Sequence, residues 1–161
     1  MALIPNNGWE TGDAGGWTLV NGGGGESFQY CQVKTTTPRS GLYHLEIKNS
    51  DAYSPDPSAT YNLPSYATWI GYTVIWKGRA RGAGGSGGNL LVTISDGVGS
   101  DSDNSLSYSV TTYTDITVSL VVDAGATRPA PIHVEDSEQI QTLHGSPRSS
   151  ESQTRTSSSS R

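Results

Sequence analysis

Two-residue alternation is the feature that most constrains this chain, and it is clearest in Tyr72-Thr-Val-Ile-Trp-Lys-Gly-Arg-Ala-Arg81. There Tyr72, Val74 and Trp76 share one parity, and Thr73, Ile75, Lys77, Arg79 and Arg81 share the other. Only an extended strand turns successive side chains to opposite faces, so this stretch has one face for a core and one for water. The same period recurs three times. Residues 42–48 set Tyr43, Leu45 and Ile47 against His44, Glu46 and Lys48. Residues 89–95 set Leu90, Val92 and Ile94 against Leu91, Thr93 and Ser95. Residues 115–123 bring Ile116, Val118, Leu120 and Val122 to the core side.

Weaker strands are expected at 17–20, 27–34, 59–63 and 106–110, giving roughly eight in all. Between them lie glycine-rich or proline-containing breaks, notably 21–25, 50–57, 82–88 and 96–104. No helical period interrupts this spacing, which predicts an all-β fold of two packed antiparallel sheets. The Tyr72 and Asn89 segments, joined by the glycine-rich stretch 82–88 read as a hairpin, are expected to lie side by side. Their polar faces would then share one trough.

A chain of 161 residues with 20 glycines and 33% hydrophobic residues supports one domain with a single core. That domain is expected over 1–145. Residues 146–161 are mostly Ser, Thr, Arg and Gln, with Pro147 and Glu151 and no large apolar side chain to offset the entropy of ordering, so a disordered tail is expected there. The formal charge is −5. No basic run is contiguous in the sequence, which argues against a phosphate-directed nucleic-acid surface. Cys31 is the single cysteine and can form no intrachain disulfide. The opening from Met1 shows neither a signal sequence nor a membrane-spanning run, so an extracellular or virion location is expected to rest either on a trimmed longer precursor or on another route, such as release inside a virus particle.

The opening Asn7-Gly-Trp-Glu-Thr-Gly-Asp-Ala-Gly-Gly-Trp17 packs two tryptophans among glycines that permit tight turns. Its pattern Asn-Gly-(aromatic)-Glu-x-Gly-Asp-x-x-x-Trp resembles the start of the β-jelly-roll carbohydrate-binding modules of families four, nine and twenty-two. Ser40-Gly-Leu-Tyr-His-Leu-Glu-Ile47, Tyr72-Thr-Val and residues 115–127 are similar to later strands of that group, so the likeness runs over about 3–135. It fades at 128–136, where Pro129 and Pro131 lack ladder donors, and an altered final strand beginning no earlier than Ile132 is expected.

The resemblance implies a non-catalytic two-sheet jelly roll that holds a polysaccharide or surface glycan on a concave sheet. With the alternation, it nominates Thr18, Asn62, Lys77, Arg79, Thr93 and Ser95 as hydrogen-bonding groups, joined by His133 if Ile132 and Val134 turn inward, with Tyr53 stacking from its proline-rich loop. It also implies a structural calcium held by Glu10 and Asp136, with carbonyls near Gly8 and Gly41. The blander readings are a solvated charged stripe on the Tyr72 strand and a Glu10 that merely caps local donors. Trp9, Trp17, Tyr43, Tyr72 and Trp76 are expected in the core, which leaves Tyr53, Tyr66, Trp69 and Tyr113 as rings able to meet a ligand.

No nucleophile elbow, zinc-protease motif or phosphate loop occurs, and three histidines in unrelated places suggest no triad. A second class of function stays open. The same sandwich could serve as a structural or decoration protein of a virus particle or extracellular assembly, forming homo-oligomers or lying on a particle surface.

Overall fold

In the computed structural model, the described residues are 9, 11–36, 38, 41–49, 53–64, 66–84, 88–127, 131–136 and 141–145. They form ten strands and one 3-10 turn: β1 Thr18–Val20, β2 Tyr30–Lys34, β3 His44–Lys48, β4 Ser58–Asn62, the turn Tyr66–Trp69, β5 Thr73–Gly82, β6 Leu90–Ser95, β7 Ser100–Asp103, β8 Thr114–Val121, β9 Pro131–Asp136 and β10 Gln141–Gly145. The first sheet runs β1-β4-β9-β6-β7 and the second β2-β3-β10-β5-β8, with antiparallel pairing throughout. This is a sandwich of two antiparallel sheets, as the alternation predicts, in the jelly-roll form that the resemblance implies. Among the described residues no helix is long and apolar enough to cross a membrane.

The core lies where the inward parities meet. Leu45, Ile47, Val74, Trp76, Ile116 and Val118 descend from the second sheet onto Ala59, Tyr61, Leu90, Val92, Ile94, Ile132 and Val134 of the first. Burying a side chain of this size is worth about 1.5–3 kcal/mol relative to leaving it in water, so these rows dominate the favourable free energy of folding. Trp9 and Trp17 pack as tilted rings 5.1 Å apart, and Trp17 continues onto Tyr61 at 5.5 Å, so both tryptophans join the core. Trp69 is buried too and donates its indole N–H to the Pro64 carbonyl at 3.2 Å.

Four sequence expectations change. First, β5 and β6 belong to different sheets, so the Tyr72 and Asn89 segments do not share a trough. The reason lies at their connection, whose two ends bond to 106–110 instead of to each other. Gly82 N–H donates to Val110 O, Gly84 N–H to Tyr108 O and Leu90 N–H to Leu106 O, while Tyr108 N–H donates to Gly88 O. Second, 106–110 is accordingly a corner piece and not a regular strand; its one ladder partner is the bridge Asn89↔Ser107. Third, the expected loop 96–104 contains β7.

The fourth change is at the end of the chain. β9 begins at Pro131, one residue earlier than expected, and sits in the middle of the first sheet between β4 and β6. Proline is tolerated because it occupies the first strand position, while Ile132 and Val134 behind it are fully buried. β10, for which the sequence offered no expectation, is the central strand of the second sheet, with Leu143 in register with Leu45 on one side and Ala80 on the other. Residues 146–161, where a disordered tail is expected, lie outside the described residues.

Candidate functional site

The outward face of the second sheet carries a continuous set of polar and charged side chains. β2 contributes Tyr30, Gln32 and Lys34, whose parity opposes that of Cys31 and Val33 on the core. β3 contributes His44, Glu46 and Lys48, and β5 contributes Lys77, Arg79 and Arg81. Register aligns them in rows. Gln32 pairs with Glu46, Glu46 with Thr142, and Thr142 with Arg81. Lys34 pairs with His44, and on the far side Arg79 pairs with Asp115.

His44 is fully buried although its parity opposes that of Leu45 and Ile47, so other side chains cover it on the outward face. Its Nε2 lies 3.3 Å from Glu46 Oε2, and Glu46 Oε1 accepts the Tyr30 hydroxyl. The bond from His44 holds the Glu46 carboxyl below its ordinary range; burial opposes this and the Tyr30 bond adds to it. Burial, together with the Glu46 bond and charge, pushes the Tyr30 phenol upward. Two donors or acceptors stay unspent on this face, because His44 Nδ1 and Arg81 Nε are buried with no hydrogen-bond partner. Such atoms carry an uncompensated desolvation cost.

Aromatic rings flank the face. Lys34 Nζ stands 4.9 Å and Lys48 Nζ 5.9 Å from the Tyr30 ring centre, and the Arg81 guanidinium lies 5.5 Å from that of Tyr113. Cations poised on ring faces hold both groups in place. Arg79 bonds to Asp115 through Nε and Nη2, the latter at 3.2 Å.

The residues nominated from sequence divide between two surfaces. Lys77 and Arg79 belong to the second sheet, whereas Thr18, Asn62, Thr93, Ser95 and His133 project from the first, on the opposite side of the molecule. There the register builds one row, Thr18–Thr60–His133–Thr93–Ser102, in which Thr60 Oγ1 lies 2.8 Å from His133 Nδ1. None of these five is a Phe, Tyr or Trp. Tyr53 is exposed, as its loop predicts, but it stacks at 5.3 Å on Phe28, which sequence reasoning passed over. Phe28 is the one phenylalanine of the chain and stands two residues before Tyr30, a signal that could have been read.

Glu10 lies outside the described residues, as does the side chain of Asp136, whose backbone at the end of β9 pairs with Leu90 of β6. Among the described residues no three His, Cys, Asp or Glu side chains gather as a metal site. Between the edge strands β1 and β2 opens a hollow of about 420 Å³, lined by Asp13, Asn21, Gln32 and Cys31 among others. The Cys31 thiol there is pushed up to about 12 by burial, so it holds no thiolate at neutral pH.

No family model matches the chain, and no curated protein matches it by sequence. Solved structures do match. An apo cyclase from Fischerella sp. aligns with a TM-score of 0.64 at 14% identity, over 88% of this chain and 91% of that one. The enzymatically active domain of bacteriophage CBA120 tailspike protein 4 aligns at 0.62 and 15% identity over 88% of this chain, which spans 20% of the tailspike chain. The CBM22-1 xylan-binding domain of Paenibacillus barcinonensis Xyn10C aligns at 0.56 and 15% identity, over 86% and 87% of the two chains. At such identities the likeness establishes the fold, which is that of the β-jelly-roll carbohydrate-binding modules.

Proposed function

We propose that this chain is a non-catalytic carbohydrate-binding module that holds a glycan chain on the outward face of its second sheet. The observation that carries the reading is the outward row Gln32–Glu46–Thr142–Arg81, with His44 next to Glu46 and tyrosines at both margins. Sugar recognition needs fixed donors and acceptors for hydroxyls and a ring face for the pyranose, and a rigid sheet supplies both with little ordering cost. The fold shared with a xylan-binding module supports the same reading. Arg81, with its buried unpartnered Nε, is the residue on which binding depends most.

Affinity electrophoresis against a panel of soluble neutral and acidic polysaccharides tests this. Arg81→Gln should weaken binding of the best ligand at least tenfold, while Thr93→Ala on the first sheet leaves it unchanged. The reverse pattern would move the site to the Thr60–His133 row, and absence of all polysaccharide binding would overturn the reading. The Glu10 and Asp136 calcium site is proposed alongside as a structural element, and a rise in melting temperature on adding calcium that Asp136→Asn abolishes is its test.

The tailspike likeness favours a second reading, in which the sandwich is one unit of a particle-borne assembly outside the cell. Co-sedimentation with particles and a defined oligomer in light scattering, without any glycan binding, would select it.

A further inference from the structure

We infer that the ligand of this face is an acidic polysaccharide, whose repeated carboxylates are met by a cationic field; this inference rests on the glycan-binding reading above. Every lysine and arginine among the described residues, Lys34, Lys48, Lys77, Arg79 and Arg81, lies on the outward parity of the second sheet. The chain as a whole is acidic, with net charge −5 and more carboxylates than cations. Yet among the described side chains of this face, Glu46 and Asp115 are the carboxylates that oppose the five cations; Asp13, Glu26, Asp56, Asp96, Asp101, Asp103 and Asp123 lie in loops or on β7 of the other sheet. No contiguous basic surface was expected from sequence, and the fold assembles one.

Like charges on neighbouring strands repel, so such segregation opposes the folded state unless something else uses it. Among the described residues the ion pairs are Arg79–Asp115 and His44–Glu46. Lys48 donates to the Ser27 carbonyl at 2.9 Å, and Lys34 and Arg81 rest on tyrosine rings, arrangements that hold cations in position without neutralising them. Lys77 is exposed at the centre of β5. Lys34 and Arg79 stand three strand spacings apart, about 14 Å, and Lys77 to Arg81 spans a further ~14 Å along β5. That is a field for an oligosaccharide, not for a single anion. Guanidinium groups bind carboxylates in bidentate fashion, and Tyr30 and Tyr113 offer faces for the apolar side of the sugar ring, a pairing suited to uronic acids.

The test compares alginate, polygalacturonate and hyaluronan, each against its own carboxyl-reduced form, together with neutral xylan and galactan and a single-stranded DNA oligonucleotide, all on the full chain. At least one acidic polymer should bind tenfold or more tighter than its reduced counterpart. That binding should fall at least fivefold as sodium chloride rises from about 0.05 to about 0.3 M, because exposed charges are screened over a shorter distance. Lys77→Gln, an exposed change that leaves packing intact, should lose severalfold affinity for the acid form and none for the reduced form. Equal binding of acid and reduced forms, or binding of neutral xylan or galactan alone, overturns the inference and leaves the carbohydrate reading standing. Tighter binding of the DNA than of any polysaccharide overturns the inference, and binding to no polymer at all overturns both.

Discussion

Asp96 shows how much one polar side chain can organise. It is fully buried at the end of β6, and its carboxylate accepts N–H bonds from Val98 at 2.9 Å, Gly99 at 2.8 Å and Asp123 at 2.8 Å. Burial alone would raise its pKa, but those backbone donors outweigh it and leave the carboxyl below its ordinary range. Asp96→Ala strands three donors at once and should cost about 3–4 kcal/mol in urea unfolding; a loss under about 1 kcal/mol would show that water replaces them. Tyr30 makes the opposite linkage. Its raised phenol keeps its proton in the folded state at pH values where the unfolded chain has lost it, so its contribution is complete below about pH 10 and is lost as pH rises beyond. Unfolding midpoints from pH 8 to 12 should therefore fall more steeply for the wild type than for Tyr30→Phe, and parallel curves would refute the linkage. Sequence could flag Tyr30 as a strand residue only, because its partner Glu46 arrives from another strand.

Strand β5 was the most legible element, and its inward face reveals what alternation leaves out. Val74 and Trp76 fill that face, and the next inward positions shrink to Gly78, Ala80 and Gly82. A Cβ on Gly78 would lie 2.4 Å from the Trp76 ring, so the glycine makes room for an indole on its own strand. At Gly82 the obstacle is backbone, with Tyr108 O only 1.9 Å from a Cβ. Gly78→Val should cost about 2–4 kcal/mol by displacing the indole, measured as a shift in denaturant midpoint, and Trp76→Leu in the same chain should recover part of it. The sheet to which β6 belongs was not legible. A glycine-rich connection permits either a hairpin or a crossing, and the choice was made by 106–110, whose backbone partners lie on both sides of the corner. For that reason Lys77 and Arg79 were correctly assigned to an outward face yet grouped with Thr93 and Ser95, which look the other way.

At the scale of the molecule, the two sheets depend on the C-terminal strands far more than the sequence suggests. Residues 141–145 carry a single large apolar side chain, Leu143, too little for any periodicity to register. Their weight comes from position: β10 supplies the ladder partners of β3 and β5 together, and β9 those of β4 and β6. A chain ending at Asp136 would thus divide the second sheet into two separate pairs and open rows of unpaired N–H and C=O groups beside the buried Leu45, Ile47 and Ala80. Unpaired strand edges of that length promote association with other chains. That truncation should show no cooperative thermal transition and should aggregate, whereas a chain ending at Gly145 keeps every described strand and should melt within about 2 °C of the full protein. A cooperative transition in the shorter chain would mean that β3 and β5 pair without β10, and the arrangement of the second sheet, with the cationic face built on it, would have to be redrawn.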